Sequence, residues 1–109
     1  MRIKLHHPGQ QAKGNITITG SKSESNRLLI LQALYPQIKI KNGSNSDDSS
    51  VTQEALKSNG QWIDIHHAGT AMRFLTAYFA TQVDRETVLT GSKRMQERPI
   101  KLLVDALNS

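Results

Sequence analysis

Ser21, Lys22, Ser23 and Arg27 crowd into one short stretch directly after Gly20. Hydroxyls, cations and a glycine are the parts of an anion site. Small side chains leave backbone N–H groups open, and lysine and arginine add full charges. A second stretch, His67-Ala68-Gly69-Thr70-Ala71-Met72-Arg73, repeats the theme of glycine, hydroxyl and cation. A third, Gly91-Ser92-Lys93-Arg94-Met95-Gln96-Glu97-Arg98, does so again. If the three converge, they form a pocket for phosphate or carboxylate groups. Taken singly, each residue has a plainer use: a serine can be an N-cap, and a surface lysine can be solvated. The spacing is not that of a Walker A loop.

The acid side of such chemistry is thin. Asp47 and Asp48 are the only adjacent carboxylates, and their place at a helix start suits them to capping. No carboxylate is marked as a general base, and no Ser-His-Asp order stands out. His6-His7 and His66-His67 are doublets, whose rings point to opposite faces of a strand, so neither makes a two-ligand chelate. With no cysteine and no H-E-x-x-H, the expectation is no metal site and no cofactor.

Strand-to-helix junctions must position these residues. Alternation predicts strands over residues 3–5, 16–18, 38–40, 63–65 and 87–89. Four helices are predicted to start near Ser23, Asp48, Gly69 and Pro99. The first is apolar nearly all round over residues 25–34, which predicts cover on most sides. Tyr35-Pro36 stops it. Asn59-Gly60 reads as a left-handed cap on the second helix. Pro99 reads as a first helical position, with Ile100, Leu103, Ala106 and Leu107 on one face of the last helix. T-G-S-K-x-x-x-x-R occurs twice, at residues 19–27 and 90–98, which suits repeated strand–helix units. The fold class is mixed α/β.

The chain has 109 residues, enough for one domain, and 37% hydrophobic with 21% charged residues reads as globular. The formal net charge of +5 favours anionic partners, nucleic acid among them. The two Phe, two Tyr and one Trp are not interleaved with a basic run, so a single-strand stacking platform is not expected. No apolar run reaches spanning length and no signal-peptide core opens the chain. A cytoplasmic protein without a membrane partner is expected.

The motifs carry a resemblance. Ser21-Lys22-Ser23-Glu24-Ser25-Asn26-Arg27, Ser46-Asp47-Asp48, Ala68-Gly69-Thr70-Ala71-Met72-Arg73, and residues 89–100 occur in the order found in the EPSP synthase (3-phosphoshikimate 1-carboxyvinyltransferase) family of the shikimate pathway. The related enolpyruvyl transferases of cell-wall synthesis lack the S-K-S-x-S-N-R opening. The resemblance implies transfer of the enolpyruvyl group of phosphoenolpyruvate to shikimate 3-phosphate with release of phosphate, on the way to chorismate and aromatic amino acids. It implies addition and elimination through a tetrahedral intermediate, with no metal or organic cofactor. By position, Lys22 would be catalytic and contact both substrates. Ser23 and Arg27 would hold shikimate 3-phosphate. Gly69 and Arg98 would bind phosphoenolpyruvate, with Thr70 and Arg73 in support.

Two residues depart from the family's usual pattern: His67 stands in place of an asparagine, and Phe74 in place of a proline. The family's chains, usually monomeric, are several times longer, with two domains of βαβαββ units around a cleft. The resemblance implies that residues 1–20 are strands that pack with the other domain, and that residues 21–109 open the first substrate-binding domain. The family's acid–base carboxylates fall outside the matching stretches. The chain is accordingly expected to be a fragment or one piece of a split enzyme, inactive alone. The alternative is a small basic module for phosphorylated ligands or nucleic acid, which would spread its cations along an outer face.

Overall fold

Ser21 has extended backbone, and its Oγ accepts from Glu24 N at 3.4 Å. That cap starts α1, Lys22–Leu34, in the computed structural model, which describes residues 1–109. Tyr35 leaves helical geometry ahead of Pro36 and ends it. Ser46 caps α2, Asp47–Lys57, in the same manner. Then come β1, Trp62–Asp64; α3, Gly69–Ala80; β2, Val88–Thr90; a single turn, α4, Lys93–Gln96; and α5, Lys101–Asn108. The strands are parallel, with Ile63 opposite Leu89, so β1, α3 and β2 form one crossover unit. The class is mixed α/β, as expected.

α3 carries the core. Ala71, Leu75 and Phe79 recur every four residues on one face and are buried. Ile63 and Ile65 from the first strand region, Ala55 of α2 and Met95 of α4 complete the cluster with Ala68. α1 docks differently from expectation. Its buried residues are Ser25 and Asn26, not its leucines, and Leu31 and Leu34 are exposed. Asn26 Oδ1 accepts from Ser49 Oγ of α2 at 2.8 Å, and Ser25 Oγ accepts from Ser44 N at 2.8 Å. Polar bonds thus fix this side of α1, while Ile30 packs against the core and Leu31 and Leu34 stay uncovered.

Three expected strands do not form. Residues 3–5 and 16–18 alternate correctly but are exposed and in no sheet, because the two-stranded sheet bonds neither of them. Residues 38–40 are held by the end of α1 instead: Ile38 N donates to Tyr35 O, and Ile38 O accepts from Gln32 Nε2. The long exposed N-terminal segment helps raise the radius of gyration to 18.1 Å, against about 13 Å for a compact chain of this length.

Helix ends differ too. No glycine has positive φ, so Gly60 makes no left-handed cap. α2 stops because Ser58 turns extended, and Arg85 Nη2 takes its carbonyl at 2.8 Å. Pro99 is not the first residue of the last helix; its carbonyl accepts from Arg73 Nη2 at 3.2 Å, and the helix waits until Lys101. Within α5, Ile100 just before it and Leu103 are partly buried, while Leu107 and Ala106 are exposed.

The turn after β1 depends on His66, which sits at φ 51°. Asp64 Oδ1 accepts from His66 N at 2.8 Å and holds this left-handed residue. His66→Val should therefore lower unfolding free energy by about 1–2 kcal/mol, while His66→Gly should stay within about 1 kcal/mol of wild type. Urea denaturation checks both; equal losses would show that the left-handed geometry is not the cause.

Candidate functional site

The turn from β1 to α3 and the turn from β2 to α4 are laced together. Ile65 N donates to Thr90 O at 2.9 Å, and Ser92 N donates to His66 O at 3.0 Å. Gly91 permits this approach, since a Cβ there would lie 2.7 Å from His66 O. The lacing sets Gly69, Thr70 and Arg73 beside Arg98. α1 and α2 then bring Lys22 and Asp48 to the same place. The result is an open cavity of about 530 Å³ lined by Lys22, Asp48, His67, Gly69, Thr70, Arg73, Phe74 and Arg98.

Three helix starts meet here, because Lys22, Asp48 and Gly69 each lie in the first turn of their helix. Serines cap α1 and α2, but Ala68 gives α3 no side-chain cap. The start of α3 thus has no capping side chain; Gly69 and Ala71 are buried there, and Thr70 is its partly exposed residue. Arg98 packs its guanidinium against Gly69, with Cζ 3.0 Å from where a Cβ would stand. Arg73 is a fastener as well as a cation: Nη1 donates to Gly69 O at 3.1 Å and Nη2 to Pro99 O. His67 Nδ1 meets Ser92 Oγ at 2.9 Å, and that oxygen also caps α4 by accepting from Met95 N.

Of the residues singled out in the sequence, the structure gathers Lys22, Gly69, Thr70, Arg73 and Arg98 into this pocket. Ser23 and Arg27 are not among its lining residues. Arg27 Nη1 donates to Ser23 O at 2.7 Å, and its guanidinium lies 5.3 Å from the centre of the Phe74 ring. Helix geometry explains the divergence of the two T-G-S-K-x-x-x-x-R copies. Inside α1, five residues turn the chain about 140° away from Lys22. α4 ends before Arg98, so that arginine is free to fold back on Gly69.

Asp48 is the residue the sequence reading undervalued. Ser46 is the N-cap of α2, and Asp48 turns into the pocket, 3.8 Å from Lys22 Nζ. Its signals in the sequence were its place in a helix first turn and its membership of the Ser46-Asp47-Asp48 motif, neither of which points to Lys22. Lys22, Arg73 and Arg98 gather in one concavity, as the transferase reading requires, while Arg27, expected with them, lies outside it. No group of three or more His, Asp or Glu side chains comes together in a way that could hold a metal ion. No helix is long and apolar enough to cross a membrane.

Comparison with known proteins agrees with this geometry. Residues 41–109 match the family model of EPSP synthase (3-phosphoshikimate 1-carboxyvinyltransferase). The chain is 47% identical to a 3-phosphoshikimate 1-carboxyvinyltransferase of Bacteroides fragilis, over 98% of this chain and 26% of that protein. It is 39% identical to the enzyme of the same name from Actinobacillus pleuropneumoniae, over 92% of this chain and 30% of that protein. It is also 40% identical to a pentafunctional AROM polypeptide of Candida tropicalis, over 96% of this chain and 9% of that one. The chain thus spans under a third of the length of these relatives. With the family model covering well over half of the chain, in the segment that supplies α2, α3 and Arg98, the chain belongs to the EPSP synthase family.

Proposed function

We propose that this chain supplies one wall of the substrate cleft of a 3-phosphoshikimate 1-carboxyvinyltransferase. That enzyme joins the enolpyruvyl group of phosphoenolpyruvate to a hydroxyl of shikimate 3-phosphate. A C–O bond forms in the addition step, and phosphate leaves in the elimination step. The convergence of Lys22, Arg73 and Arg98 with the uncapped start of α3 on one cavity carries the reading. Such a site holds the anionic groups of phosphoenolpyruvate: Arg98 and the start of α3 at Gly69 and Thr70 bind, Gly69 leaves room for the Arg98 guanidinium against the helix, and Thr70 and Arg73 brace the wall. Lys22 stands across the cavity as a mobile point charge able to serve both substrates. Ser23 and Arg27 join the shikimate 3-phosphate site only once Arg27 leaves the Phe74 ring.

The proton-transfer groups belong to the rest of the enzyme, which works in the cytoplasm without metal or organic cofactor. In the complete protein, residues 1–20 form strands against the other domain, and residues 21–109 begin the first, built from βαβαββ units. The exposed alternation of Ile3, Leu5, Ile16 and Ile18 supports that arrangement.

An amide NMR titration of the 109-residue chain tests the reading. Phosphoenolpyruvate or shikimate 3-phosphate should shift resonances at Lys22, His67–Arg73 and Arg98. Affinity should be on the order of millimolar, since half a cleft leaves the ligand hydrated. Lys22→Ala should weaken binding several-fold and Lys39→Ala, outside the pocket, should not. Phosphate release from the two substrates together should be undetectable; turnover by the chain alone would overturn the assignment of the proton-transfer groups to the rest of the enzyme.

A further inference from the structure

Asp48 is the one carboxylate among the cations of the pocket. Its oxygen lies 3.8 Å from Lys22 Nζ, close enough for attraction but too far for a hydrogen bond. The Asp48 side chain is 20% exposed, against 48% for Lys22, so water does not fully satisfy it. An ionised carboxylate only accepts hydrogen bonds. A cavity of cations and N–H donors alone would favour whichever anion carries most charge. With Asp48 in the wall, a ligand atom beside it must be a donor, or two sets of lone pairs face each other. The plainer role, a negative charge at the start of α2, is shared by Asp47, which does not line the pocket.

We infer that Asp48 is a specificity residue: it makes the pocket select anions that carry a hydrogen-bond donor next to their charge, a P–OH or an adjacent hydroxyl, over anions made of acceptors only. The inference rests on the pocket being an anion site, and goes beyond it by naming the ligand feature that site distinguishes.

Inorganic phosphate and inorganic sulfate separate the two effects. In mildly acidic buffer phosphate is chiefly a monoanion with P–OH groups, while sulfate carries more charge and no donor. Charge alone ranks sulfate first; Asp48 ranks phosphate first. The 109-residue chain, followed by amide shifts at Lys22, Gly69 and Arg98, should bind phosphate roughly fivefold more tightly than sulfate. Asp48→Asn, whose amide also donates, should reverse the order. Asp48→Glu should keep the wild-type sign, and Asp47→Asn, which removes the same charge from the same helix end, should leave the ratio unchanged. Equal or tighter sulfate binding by the wild type overturns the inference and leaves the anion site standing. So does an equal change of ratio in the Asp47 and Asp48 variants. If neither anion shifts those amides, the anion site falls and the inference with it.

Discussion

Leu75→Ala should remove about 2–5 kcal/mol of stability, leaving much of the chain unfolded at room temperature. Leu75 has no exposed surface and lies at the centre of α3's buried stripe, between Ala71 and Phe79. The core around it is small, eight apolar residues in all, so few neighbours can close a cavity left there. A whole domain is held by only about 5–15 kcal/mol, and this chain has bare apolar side chains along α1 and in residues 1–19 that contribute nothing to that total. Leu102→Ala is the matched control. Leu102 is 87% exposed, and its loss should change stability by no more than about 0.5 kcal/mol. Far-ultraviolet circular dichroism against urea gives both values. Similar losses for the two leucines would mean that α3 does not organise the fold.

The elements legible in the sequence are those whose signals are local. Ser21 caps α1 within three residues of the N–H group it serves and Pro36 stops that helix unaided, whereas the capping of α2 expected of Asp47 and Asp48 is done by Ser46. The strands around Ile63 and Leu89 were legible by alternation, and the helix of crossover length between them is what makes their pairing parallel. Residues 3–5 and 16–18 show the limit. Alternation states which face a strand would bury, but its hydrogen bonds need a partner, and no neighbouring strand in this fold supplies one. α1 shows a related limit: hydrophobicity marked its leucines as inner residues, yet the specific bonds of Ser25 and Asn26 decide which side faces α2.

Within the site, the glycine–hydroxyl–cation theme located Lys22, Gly69 and Arg98 because each is defined by its own junction. Arg27 had the same spacing as Arg98 and a different fate. The difference is the length of the following helix and the presence of Phe74, which accepts the guanidinium on its ring. Asp48 was invisible as a pocket residue because the pairing with Lys22 joins two helix starts far apart in the chain. Local patterns carry no information about such a contact.

Arg98→Ala should lower affinity for phosphoenolpyruvate roughly tenfold, the loss expected when a charge-assisted bond to an anion is removed. Gly69→Ala should lower it roughly threefold, and only when Arg98 is present. A methyl group on residue 69 would stand 3.0 Å from Arg98 Cζ and closer still to Nη1. The guanidinium is the flexible end of an exposed side chain, so it would swing off α3 instead of forcing the helix apart. The anion would then lose part of the Arg98 contact while the start of α3 remains. In the Arg98→Ala background nothing is left to displace, so adding Gly69→Ala should change affinity little. Stability separates this from general damage. Gly69 is the first residue of α3, where alanine is the better helix former by up to about 1 kcal/mol. Gly69→Ala should therefore unfold at the same or higher urea concentration while binding more weakly. Additive losses in the double variant would show that Gly69 acts on the ligand directly. A loss of stability in Gly69→Ala that matches its loss of affinity would show that the guanidinium is held too firmly to move.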